Sequence, residues 1–130
     1  MVGGAVKTEL LNGSKGLVFP VRWHEPFGLA VIESMYFGAP VFSTPYGALP
    51  ELVPDWAGCL SNQAQTLAQA MQQQQWDGQR IHQHVVEHFN AQTMAQAYLR
   101  KYQQVMDGQA LNAQAPCAQD AFDKLPWHTQ

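Results

Sequence analysis

Two glutamates eight positions apart, Glu25 and Glu33, are the side chains in this chain best suited to chemistry. Glu25 lies in a polar loop, VRWHEP, and Glu33 in an apolar stretch, GLAVIESMYF. An ionised carboxylate only accepts hydrogen bonds, so it selects ligands rich in donors. Leu29, Ala30, Val31, Ile32, Met35, Tyr36 and Phe37 surround Glu33, and a helix apolar almost all round is normally buried. A buried carboxylate without a partner is costly. Glu33 is therefore expected to find its donors on a bound molecule, and ribose hydroxyls would serve.

The elements around these glutamates say where such a molecule would sit. GLVFP, residues 16–20, is a short apolar run closed by proline and reads as a buried parallel strand. Residues 28–37 read as a helix stopped by Gly38 and Pro40, and PVFST, residues 40–44, as a second strand. Strand, helix and strand make one βαβ unit close to its minimum length. Its helix starts at the carboxyl end of a strand, the place where open α/β sheets bind ligands. The helix N-terminus offers free N–H groups and a positive dipole end, an anion site. Pro26 presets the turn into it and Gly28 would let a ligand approach the backbone. At 1.5 Å per residue, Glu33 lies roughly 7–8 Å along the axis. A diphosphate on the helix N-terminus would then have a sugar on one side and a ribose on the other, with one carboxylate for each end.

The remaining chain supplies supporting elements. A short helix around residues 9–11 should end near Gly13. TPYGALPELV is a punctuated loop leading into a short helix at 49–53, and residues 57–60 form a third strand. Asn62 is expected to cap a helix over 63–75, Asp77 one that reaches about His88, and Asn90 one over 91–106. The stripe Met94, Tyr98, Tyr102 reads as core. From Asp107 the period fades. The division expected is a partial α/β domain over 1–106 and a tail over 107–130, docking through Phe122 and Trp127.

EPFGLAVIES, with the following GAPV and GALPELV, resembles the Glu-x7-Glu signature of retaining glycosyltransferases of the family 4 type, the glycosyl transferases group 1. The likeness runs from about Lys7 to Tyr102 and includes FPVRWHEPFGL. It implies an α/β fold: an incomplete Rossmann-like parallel sheet, the C-terminal domain of a B-type glycosyltransferase, with C-terminal helices. It also implies a nucleotide-diphosphate sugar as donor, with no further cofactor and no metal. By position, Glu25 would be the catalytic-site glutamate touching hydroxyls of the donor hexose. Phe27, Gly28 and Leu29 would hold sugar and diphosphate through their backbone, and Glu33 the ribose. Gly47 and Ala48 would shape the neighbouring loop, and His24 could reach a sugar hydroxyl. The resemblance leaves the upstream βα units, their diphosphate-clamping cations and the acceptor-binding domain unmatched. Only Lys7, Lys15 and Arg22 are basic in residues 1–24. A truncated enzyme is the expectation, inactive in transfer alone and needing a missing acceptor domain or partner chain. The alternative is a non-catalytic remnant or interaction module. An exposed edge strand is expected on the GLVFP side.

Bulk properties narrow the classes further. The 130 residues carry a net charge of −3 with 7 Lys and Arg, which argues against nucleic acid and anionic lipid as partners. Apolar residues make up 46%, enough for a packed core. No 18-residue apolar run offers a transmembrane segment. A cytoplasmic location, with peripheral membrane contact left open, fits the absence of a signal pattern. Cys59 and Cys117 have no metal or redox spacing and read as reduced, buried or incidental thiols. HVVEH, residues 84–88, fits an inverted zinc-protease pattern, but no glutamate follows Glu87 to complete it, so a polar helix face is expected. Trp23 reads equally as cleft lining or strand packing.

Overall fold

A three-stranded parallel sheet in the order β1-β2-β3 organises the chain. The computed structural model describes residues 3–73, 75–115 and 125–128, so Cys117 and Phe122 lie outside the described residues. Helix α1 (Gly4–Asn12) precedes β1 (Leu17–Phe19). Then come α2 (Leu29–Tyr36), β2 (Val41–Ser43), α3 (Leu49–Leu52) and β3 (Gly58–Leu60). Helices α4 (Ala64–Gln73), α5 (Gly78–His88) and α6 (Ala91–Met106) complete the order. The register pairs Leu17, Val18 and Phe19 with Val41, Phe42 and Ser43, and these in turn with Gly58, Cys59 and Leu60. This is the incomplete Rossmann-like α/β architecture expected.

Strand β2 is central and wholly buried, as a parallel strand covered on both faces must be. Its alternation sends Val41 into one core and Phe42 into another. The larger core gathers Val31 and Met35 of α2, Leu49 and Leu52 of α3, and Ile81 and Val85 of α5. The smaller gathers Phe42 with Leu67 and Ala70 of α4, and Trp76 and Trp127 pack on it. Trp127 thus docks as expected of the tail. β1 is an edge, and Val18 projects from it exposed. Among the described residues no helix is long and apolar enough to cross a membrane.

Caps account for the later helices. Asp77 accepts from Arg80 N–H at 3.0 Å and Asn90 from Thr93 N–H at 2.8 Å, the bonds that satisfy otherwise orphaned donors. Asn62 does not cap α4. Its amide turns to the Tyr46 hydroxyl at 3.5 Å, while Ser61 Oγ accepts from Gln63 N–H.

Two expectations about burial fail. Helix α2 buries only Val31, Ser34 and Met35, and Leu29 is 70% exposed. Its apolar composition exceeds the surface that α5 and the sheet cover. The stripe on α6 is not core either: Met94, Tyr98 and Tyr102 stand 57%, 57% and 60% exposed, and α6 buries no residue among those described. Helical spacing specifies a stripe but not what covers it.

Candidate functional site

The loop after β1 carries Glu25 to the carboxyl edge of the sheet, and side chains of β2 hold that loop in place. Ser43 Oγ donates to Phe19 O at 2.5 Å and Thr44 Oγ1 to Val21 O at 2.6 Å. Both hydroxyl residues are buried, and the Thr44 bond to Val21 is fully buried, so it satisfies a carbonyl that water cannot reach. Further along, Glu25 forms a parallel bridge with Gly47, and Ala48 N–H donates to Glu25 O at 2.8 Å. Gly47 has φ +67, and a Cβ there would run into the backbone N and O of Glu25. Only glycine tolerates both demands.

The side chain of Glu25 is oriented as well as its backbone. Trp23 Nε1 donates to Glu25 Oε2 at 3.0 Å. Trp23 stands exposed and orients the Glu25 carboxylate. His24, exposed, lies edge-on to Tyr46 with ring centroids 6.4 Å apart. Trp23, His24, Glu25, Gly47 and Ala48 are thus brought together.

Helix α2 opens beside them with Gly28 as its N-cap, at φ 93, and no side chain among the described residues caps it. A Cβ on Gly28 would approach Leu52, Leu49 and Val31 at 3.4–3.5 Å. The glycine is needed here for its left-handed backbone, and its Cα side faces α3. Pro26 stands two residues ahead of the cap rather than in the first turn. Phe27 and Leu29 are exposed and line, with Ile32, Phe89, Met94 and Tyr98, an open groove of about 730 Å³.

Glu33 departs from the expectation. It is half-exposed and its Oε1 pairs with Lys7 Nζ of α1 at 2.5 Å. The premise of a buried, partnerless carboxylate is wrong, because the face of α2 that bears Glu33 looks towards α1 rather than into the core. Such a half-exposed pair contributes about 0–1 kcal/mol, so Lys7 is a partner that a ligand can displace. Sequence spacing gave no sign of this pair or of the Ser43 and Thr44 ties. For Trp23 the sequence suggests cleft lining or strand packing, and its bond to Glu25 leaves no sign there.

Elsewhere, His84 and His88 face one another with ring centroids 4.8 Å apart, and Trp56 and Phe89 crowd His84. Among the described residues no three His, Cys, Asp or Glu side chains converge. Burial, then the neighbouring His88, holds His84 below its ordinary pKa, with Glu87 opposing. A histidine whose folded pKa is depressed gives stability that is complete above its unfolded value. That stability is lost as pH falls through the window below about 6.5. Urea midpoints should therefore decline from pH 7 to pH 5, and His84→Gln should flatten the decline. An unchanged slope in the variant would refute the assignment. Burial, with Asp55 adding, pushes the Cys59 thiol up, away from the thiolate a nucleophile needs.

A parallel sheet flanked by helices, with an uncapped helix N-terminus and an oriented carboxylate at its carboxyl edge, defines an incomplete α/β domain of the Rossmann-like class. The family model for glycosyl transferases group 1 matches residues 3–84, well over half of the chain, and the chain belongs to that family. No curated protein matches the chain.

Proposed function

We propose that the chain binds a nucleotide-diphosphate sugar and serves in transfer of its glycosyl group with retention of configuration. One observation carries this most directly: the uncapped N-terminus of α2 opens at the sheet's carboxyl edge beside a Glu25 fixed by Gly47, Ala48 and Trp23. In this reading the diphosphate lies on the N–H groups of Gly28 and Leu29, where the dipole favours negative charge. Phe27 borders it. Glu25 accepts from hydroxyls of the sugar, with His24 alongside. Glu33 exchanges Lys7 for the ribose hydroxyls. The bond between leaving diphosphate and sugar weakens as charge builds on the phosphate, and the helix terminus is already oriented to meet that charge. Glu25, oriented before the donor arrives, holds the sugar without reorganising. No metal is required for either step. The acceptor would be supplied by an acceptor-binding domain or partner chain across this edge.

Calorimetric titration with a panel of nucleotide sugars tests the reading, on the wild type and on Glu33→Ala. Hydrogen bonds to a charged group contribute about 1.5–3 kcal/mol, so the variant should bind at least about tenfold more weakly. Its stability should change by no more than about 1 kcal/mol, the size of an exposed pair. Equal binding by both proteins would refute the ribose role, and no binding by the wild type would refute the donor reading.

A further inference from the structure

Residues 125–128 cross the carboxyl ends of all three strands. After β1, Arg22 Nε donates to Leu125 O at 2.9 Å, and Leu125 N–H returns a bond to Arg22 O at 3.4 Å. After β2, the Tyr46 hydroxyl donates to Pro126 O at 2.6 Å. After β3, His128 N–H donates to Asn62 O at 2.7 Å and Ala64 N–H to His128 O at 2.8 Å, making a parallel bridge at Gln63. Between these points Trp127 packs, half-buried, on Phe42, Leu67 and Ala70. Two of the contacts adjoin the candidate site: Arg22 precedes Trp23, and Tyr46 precedes Gly47.

We propose that residues 125–128 are a reversible strap over this edge, which holds Arg22 in competition with the donor's diphosphate. The proposal rests on the donor reading and adds its regulation. Near the two glutamates, Lys7 is engaged by Glu33 and Arg22 by the strap. A backbone carbonyl is a neutral, single acceptor. A diphosphate is charged and matches the guanidinium fork with two oxygens at once. Arg22 therefore favours the diphosphate whenever the strap is off. The strap's two side-chain hydrogen bonds are exposed, so Trp127 is its anchor. A site open only part of the time binds with an affinity reduced by the open fraction. Closing the strap thus weakens donor binding, and releasing it strengthens binding through Arg22.

Titration of the full chain with UDP, GDP and ADP tests this, on wild type, Trp127→Ala, Tyr46→Phe and the double variant Trp127→Ala with Arg22→Gln. If the strap is closed about 80% of the time or more, Trp127→Ala should tighten binding of the preferred diphosphate about fivefold or more. Tyr46→Phe, which removes one strap bond and leaves Trp127 in place, should shift it in the same direction. The gain should vanish in the double variant. Amide hydrogen exchange without ligand reads the strap directly: Ala64 N–H should be protected in the wild type and exchange faster in Trp127→Ala, with Val41 N–H unchanged. Faster Ala64 exchange with unchanged or weaker diphosphate binding would overturn the strap's regulatory role and leave the donor reading standing. Equal Ala64 exchange in both proteins would overturn the anchor and the strap with it. No diphosphate bound by any form would overturn the donor reading itself.

Discussion

Gly47→Val will detach the loop that presents Glu25. The new side chain has no space, since its Cβ would meet the backbone of Glu25, and its φ of +67 is one that a β-branched residue avoids. Left-handed backbone at a non-glycine residue costs about 1–3 kcal/mol before any clash is counted. The bridge between residues 25 and 47 and the bond from Ala48 to Glu25 must then open. The thermal midpoint should fall by at least about 5 °C in a chain of this size. Nucleotide-sugar binding should be lost beyond detection, because the carboxylate is no longer placed beside the helix terminus. A variant with a wild-type midpoint and wild-type affinity would show that the loop is held by something other than this contact.

The second large effect belongs to the core. Ile81→Ala removes a fully buried side chain from the face of α5 that meets Val31 and Met35 of α2. Truncations of this kind cost about 2–5 kcal/mol, because neighbours only partly close the cavity. The midpoint should drop by roughly 10 °C or more. The companion is Leu99→Ala on α6, where the side chain is two-thirds exposed. That change should stay within about 0.5 kcal/mol. Similar losses from both variants would mean that α6 is packed rather than exposed.

Much of the fold was legible because the chain punctuates itself. Gly13 stops α1, Gly38 and Pro40 stop α2, and Asp77 and Asn90 cap α5 and α6 where their residue types led one to expect. Short β-rich runs bounded by glycine and proline became the three strands. What sequence did not disclose is which surfaces find a partner. The composition of α2 suggested burial all round, yet the sheet and α5 cover only part of it, which left Glu33 at the surface with Lys7. The α6 stripe was read correctly as a stripe and wrongly as core. Asn62 has the chemistry of a cap but meets Tyr46 instead, since tertiary proximity outweighs local preference there. The Glu25 loop could be placed from its flanking strand and helix. The bonds that fix it, from Ser43, Thr44 and Ala48, join residues 23 or 24 positions apart and leave no local trace.

The ion pair between Lys7 and Glu33 couples the beginning of the chain to the proposed ribose position. Helix α1 buries no residue among those described, and this pair ties it to α2. A ligand that takes Oε1 of Glu33 from Lys7 would remove that tie. Linkage is reciprocal: whatever clamps α1 in place will oppose that ligand by the same factor with which the ligand frees the helix. Because the pair is half-exposed, salt weakens both sides of this exchange. In the donor reading Lys7 is thus the counter-ion that a ribose at Glu33 would displace, and the order of the first helix would report whether that position is filled.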